Sequence, residues 1–269
     1  MSAARSETEL AAMIERRVAG LPLEQILGWA EFRGLRMAVD PGVFVPRRRT
    51  EFLVDQAAVL ARQSDRGRQA SGTGGEHVRG ELSIVVVDLC CGSGAVGVAL
   101  VAALESVELH ATDIDPAAVR CASRNVFAAG GTVYLGDLYE PLPASLHGCV
   151  DILVANAPYV PTEAIGLMPP EARTYEPLVA LDGGPDGLDI QRRVAESAMS
   201  WLAPGGHLLI ETSRRQAPQT EEAVVQGGLI PRVARSEALD ATVVIGAWPA
   251  QRVPFSVASS GLPRPSRLG

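Results

Sequence analysis

The apolar positions of this chain fall in short unbroken runs, each closed by polar or turn-forming residues. Ile84 to Val87 ahead of Asp88, Val107 to Ile114, and Val150 to Val154 read as strands buried on both faces, with a shorter strand at Thr132 to Leu135. Helical runs separate them, from Ala95 through Leu104 and from Ala117 to Ala129, and a further helix is predicted over Leu188 to Trp201. Later strands are predicted at Gly206 to Glu211 and Thr242 to Ala247, with Leu229 to Arg235 as an edge strand. Strands alternating with helices predict an α/β fold built on a doubly wound parallel sheet. Ahead of it come a helix over Thr8 to Val18, a hairpin-like stretch from 21 to 47 in which Phe32, Leu35, Met37 and Val39 partly alternate with polar residues, and a helix over Thr50 to Arg62. Gln63 to Glu81, rich in Gly, Ser, Arg and Gln, reads as a flexible connection, and the residues beyond about 250 as a disordered tail. The expected organisation is therefore 1–62, a linker 63–81, a catalytic unit 82–250 and a tail 251–269.

Chemistry gathers where these runs end. The run 150–154 opens into Ala155-Asn156-Ala157-Pro158-Tyr159. An amide or ring-bound amine attacks poorly, because its lone pair is delocalised, unless both N–H groups are held and the nitrogen is aimed. The Asn156 side-chain carbonyl can take one N–H and the Ala157 backbone carbonyl the other. Pro158 restricts the backbone on either side of itself, and Tyr159 can stack on a planar group. The alternative is an ordinary turn after a strand, where all these residues are common. Upstream, Asp88-Leu89-Cys90-Cys91-Gly92-Ser93-Gly94 links a strand to a helix, where glycines allow close backbone approach and the helix presents free N–H groups. Gly92, Gly94 and Gly97 also spell GxGxxG, so a dinucleotide site competes. Asp113, about twenty residues further on, can accept both hydroxyls of a ribose in either case. Asp115-Pro116 is assigned to the cap of the following helix instead. Gly136-Asp137-Leu138 follows the third strand, where an adenine amino group can be read.

Composition narrows the classes. The chain contains no lysine, which excludes a Walker-type phosphate lysine and a Schiff base. A net charge of −7 disfavours broad binding to a phosphate backbone. Arg192-Arg193 is expected on a solvated helix face, whereas for Arg47-Arg48-Arg49 a solvated face and a contact with RNA or an acidic protein stand equal. Four cysteines without CxxC spacing and four scattered histidines imply no zinc site and no catalytic triad. With no apolar N-terminal segment suited to a signal or a membrane span, a cytoplasmic enzyme is expected.

Taken together these blocks resemble the protein-(glutamine-N5) methyltransferases that modify peptide chain release factors, the PrmC/HemK family. The resemblance runs from Leu21 to about Trp248. Its carriers include Leu21 to Gly28, Glu31 to Leu35, Val45-Pro46-Arg47 with Thr50-Glu51, the Asp88 to Gly94 loop, Asp113, Gly136 to Leu142, Asn156 to Tyr159, Tyr175-Glu176-Pro177 and Gly183 to Leu188. It implies a class I S-adenosylmethionine-dependent fold with seven strands, the last antiparallel. It implies S-adenosylmethionine held by Asp88, Cys90, Cys91, Gly92, Ser93, Gly94, Asp113, Asp137, Leu138 and Asn156. Catalysis would fall to Asn156, Pro158 and Tyr159, with Ala157 completing the acceptor pocket, and the partner would be a protein with an accessible glutamine, release factors first. The chain departs from the family at Ala157, where Pro is usual, at Arg48 and Arg49, and at Glu211-Thr212-Ser213 in place of Glu-x-Gly. Ahead of the hairpin the family carries a helical domain that docks the release factor, and here about twenty residues precede Leu21, so a shortened domain is expected. Three other readings stay open: a nucleic-acid amino-methyltransferase, a nicotinamide-dependent oxidoreductase and a non-catalytic cofactor-binding module.

Overall fold

The computed structural model describes residues 6–70 and 83–249. Helices α1 (Glu7–Val18) and α2 (Leu23–Leu27) precede an antiparallel hairpin of β1 (Trp29–Phe32) and β2 (Leu35–Ala38), then helix α3 (Glu51–Ala70). There follow β3 (Ile84–Leu89), α4 (Ala95–Ala103), β4 (Val107–Asp113), α5 (Pro116–Ala128), β5 (Thr132–Leu135), β6 (Val150–Ala155), α6 (Pro170–Tyr175), α7 (Asp189–Trp201), β7 (Leu202–Thr212), α8 (Ala217–Gln226), β8 (Ile230–Ser236) and β9 (Ala241–Ala247). Seven strands form one sheet in the order β5-β4-β3-β6-β7-β9-β8. Strands β3 to β7 pair in parallel, while β9 is antiparallel to both of its neighbours. The predicted α/β doubly wound sheet is the one observed. Among the described residues no helix is long and apolar enough to cross a membrane.

The buried runs keep a period of two within their continuous apolar sequence. Ile84 and Val86 of β3, with Ile152 and Val154 of β6, face a core shared with α3, α4 and α5. Val87 and Leu89, with Leu153 and Ala155, face the opposite layer under α7 and α8. Helix α3 contributes Leu53, Val54, Ala57, Ala58 and Ala61, an apolar stripe at helical spacing, and Phe32 and Met37 of the hairpin join the same cluster.

Two expectations need correction. Helix α3 does not stop at Arg62 but continues to Ala70, into the stretch predicted to be flexible. That stretch looked loop-like because it is polar, yet its Gln, Arg and Ala are good helix formers and outweigh Ser64, Asp65 and Gly67. The boundary at 62 likewise does not follow the core, because hairpin, α3 and sheet bury their apolar faces against each other. The remaining linker residues, 71–81, and the tail 251–269 lie outside the described residues.

The hairpin is also tied to the glycine-rich loop. The Asn125 side chain on α5 accepts from the Ala38 N–H (2.9 Å) and donates to the carbonyls of Ala38 (3.0 Å) and Ser93 (2.8 Å). One amide thus fixes the hairpin edge and the loop against the same helix.

Candidate active site

Strand register assembles the site. Leu89 of β3 pairs with Thr112 of β4 and with Ala155 of β6, and Ala155 pairs with Ile210 of β7. The next residue along the chain in each case is Asp113, Cys90, Asn156 and Glu211, so these four positions form one row at the carboxyl end of the parallel strands. The row straddles the point where the strand order reverses between β3 and β6, the usual place for a ligand in an open α/β sheet.

The glycine-rich loop turns sharply, with Cys90 at φ 55°, Gly92 at 56° and Gly94 at 77°. Its backbone is held from both sides: the Gly97 N–H donates to Asp88 (2.9 Å), and the Gly92 N–H donates to Asp113 (2.8 Å). The other oxygen of Asp113 accepts from the Asp115 N–H (2.9 Å). Burial raises the Asp113 pKa above its ordinary value, partly opposed by these two backbone donors. Asp115 caps α5 through the Ala117 N–H (2.8 Å), as assigned from sequence. Asp88 is buried, and that burial, with the Asp113 charge close by, pushes its pKa up to about 7.

A single cleft is lined by Asp88, Cys90, Cys91, Gly92, Ser93, Asp113, Asp137, Leu138, Asn156, Ala157, Pro158 and Tyr159. Of the residues predicted for the site, only Gly94 is not among its walls. Gly94 backs onto α5 instead, where an added Cβ would lie 2.6 Å from a Val126 methyl, so its glycine serves packing. Arg193, expected on a solvated face, also lines the cleft and pairs with Asp137 (2.7 Å), whereas Arg192 meets Asp186 and Asp189 in solvent.

At the acceptor end, Asn156 is half-buried and its amide nitrogen donates to the Thr50 hydroxyl (3.5 Å). Beside Thr50 lies Glu211, a buried carboxylate whose pKa is raised by burial, with the neighbouring Thr50 and Arg49 side chains opposing that shift. Arg49 bridges the same carboxylate (3.4 Å) to the Tyr159 hydroxyl (2.5 Å), with its guanidinium 5.8 Å from the ring centre. Burial, then the Glu211 charge, push the Tyr159 pKa up to about 12, so the phenol is neutral at ordinary pH. The Tyr159 backbone carbonyl accepts from the Gln216 amide (2.8 Å). Gly187, at φ 78°, passes so close that a Cβ would lie 2.3 Å from that carbonyl, which accounts for the glycine-rich stretch after the acceptor loop. Arg47 pairs with Glu176, which also accepts from the Val45 N–H (3.3 Å).

Sequence reasoning did not single out Thr50, Gln216 or Arg193 for the site. Thr50 belongs to a block that carries the resemblance but follows no apolar strand, and Gln216 precedes a helix built on small residues, so neither was given a role. Glu211 ends a predicted strand, and that position was the available clue.

The cradle fits S-adenosylmethionine. Each Asp113 oxygen takes one backbone N–H and keeps lone-pair capacity for a ribose hydroxyl, and the buried carboxyl of Asp88 with Asp113 gives an acidic floor suited to a cationic ligand. Fold and site define an S-adenosylmethionine-dependent methyltransferase of class I. The Methyltransferase small domain model matches residues 74–168. A release factor glutamine methyltransferase of Geobacter sulfurreducens is 36% identical over 78% of this chain and 68% of its own length. One from Gloeobacter violaceus is 35% identical over 89% and 80%. A solved methyltransferase from Pyrococcus furiosus shares the fold at 15% identity, with a TM-score of 0.53 over 89% of this chain and 98% of its own. The chain belongs to the release factor glutamine methyltransferase family.

Proposed function

We propose that this enzyme methylates the side-chain nitrogen of a glutamine in a peptide chain release factor, as the names of its relatives suggest. The observation that carries the reading is the oriented amide of Asn156. Because its nitrogen is committed to Thr50, its oxygen is the end left to accept a substrate N–H. The Ala157 backbone carbonyl would take the second N–H, and the Tyr159 ring would bound the flat amide. When bound, S-adenosylmethionine supplies a methyl group on a positively charged sulfur. Asp113 would hold its ribose, and the 90–94 loop would lie against its remaining length.

Held in this way, the substrate nitrogen needs aiming more than deprotonation. The neutral Tyr159 is no general base at ordinary pH. Asn156 and Ala157 would draw on both N–H groups and raise electron density on the nitrogen. Its surplus proton is free to leave once the new bond has formed. The residue set that positions this chemistry includes Asn156, Pro158 and Tyr159 for the acceptor, and Asp88, Cys90, Cys91, Gly92, Ser93, Asp113, Asp137 and Leu138 for the cofactor.

Incubation with methyl-labelled S-adenosylmethionine and purified release factors, followed by mapping of the modified residue, tests the reading. Label on one glutamine side chain is expected. Label on RNA, or on arginine or lysine side chains, would overturn the acceptor class.

A further inference from the structure

We infer that Arg49 is a positioning residue for the acceptor pocket, strapping the Tyr159 ring to buried Glu211 and so stiffening a loop whose residue 157 is alanine. The inference rests on the reading of Asn156 to Tyr159 as the acceptor loop. Alanine leaves φ free at 157, so only Pro158 restrains the tetrapeptide from within. External restraints are therefore needed at both ends of Tyr159. Gln216 holds its backbone carbonyl (2.8 Å), and Arg49 holds its hydroxyl (2.5 Å) while facing the ring.

The anchor for that strap is built rather than incidental. The Glu211 side chain is only 3% exposed, and one of its oxygens, Oε2, is buried with no hydrogen-bond partner. A carboxylate so enclosed needs a cation, and Arg49 supplies it from the surface, with its own side chain 45% exposed. Thr50, whose hydroxyl accepts from Asn156, is a further neighbour of the same carboxylate. Glu211 thus anchors the Tyr159 end of the acceptor pocket through Arg49. Because Arg49 sits at the surface, removing it should loosen the ring without emptying any part of the core.

Two measurements test this. The first needs no substrate: fluorine NMR of protein carrying 3-fluorotyrosine, with the Tyr159 signal assigned by its loss in Tyr159→Phe. In Arg49→Met that signal should move toward the position of free fluorotyrosine, and an unmoved signal would overturn the strap. The second is kinetic. Arg49→Met should lower kcat on the release factor about tenfold while KM and cofactor affinity stay within about threefold. Adding Ala157→Pro to Arg49→Met should recover a large part of that loss. A change confined to KM would mean that Arg49 touches the substrate instead, and no recovery by the proline would overturn the link to residue 157. If the wild-type enzyme leaves release factors unlabelled, the proposed substrate fails, while the fluorine signal still decides the strap.

Discussion

Asn156 has one end of its amide engaged by Thr50; on the proposed function the other takes the substrate N–H, an arrangement that would stabilise the transition state without improving cofactor binding. Asn156→Ala should therefore lower the methylation rate by about 10²–10³ and leave S-adenosylmethionine affinity within a few-fold. Calorimetry alongside a methylation assay checks both halves, and a mutant that methylates at the normal rate would remove Asn156 from the mechanism. On the same proposal Asp113 would sit on the other side of that division. Its carboxylate is oriented by two backbone N–H groups, so Asp113→Ala should weaken cofactor binding by about 2–4 kcal/mol. Unchanged affinity would sink the ribose assignment. The placement of both residues in one cleft was legible in the sequence, because Asp113 ends one buried run and Asn156 follows another, where the register of a parallel sheet brings strand ends together. The partners that orient them were less so. Thr50 and Gln216 come from connecting segments, and nothing local in the sequence indicates that a threonine after three arginines will reach a strand end more than a hundred residues away. Gly94 lies behind the cleft wall, and a glycine required for contact with Val126 looks the same in sequence as one required by a ligand.

At the scale of elements, the long buried strands were readable and their irregular ends were not. Strand β7 begins at Leu202, four residues before the predicted start. The intervening Ala203-Pro204-Gly205-Gly206 looks like a turn, but the pairing with β6 shifts register between Val150 and Ile152 and absorbs it as an irregularity. Helix α8 was not anticipated, because its buried face is made of Ala217, Thr220, Ala223 and Val224, too small and mixed to stand out as an apolar stripe. Helix α5, in contrast, announced itself through Asp115-Pro116, and its cap is in place. Asp115→Ala should cost about 1 kcal/mol of stability by urea unfolding and little cofactor affinity. An equal loss of cofactor binding would mean that Asp115 acts on the site through Asp113, whose oxygen accepts from the Asp115 N–H.

For the whole molecule, the shared core makes hairpin, α3 and sheet one cooperative unit, so a local electrostatic penalty under the glycine-rich loop is felt in global stability. Asp88 supplies such a penalty. Its carboxyl is buried, accepts the Gly97 N–H, and is pushed from an ordinary 3.8 up to about 7, first by burial and further by the Asp113 charge. Between these values the folded protein keeps a proton that the unfolded chain has lost. Stability from this group is therefore complete below the unfolded pKa and is lost as pH rises through about 7. With each unit worth about 1.4 kcal/mol, the loss from pH 4 to pH 8 should reach about 2–4 kcal/mol. Asp88→Asn keeps the shape and can keep the bond to Gly97 through its side-chain oxygen, but it cannot ionise. Urea unfolding of the ligand-free proteins at pH 5 and pH 8 should show Asp88→Asn gaining on the wild type by a few kcal/mol at the higher pH, with a smaller difference at the lower. Saturating S-adenosylmethionine, a cation, should narrow the gap by favouring the charged carboxylate over the neutral amide. Parallel stability profiles for the two proteins without ligand would show that Asp88 is already ionised in the fold, and the acidic floor assigned to the cofactor cradle would then carry its full charge at every working pH.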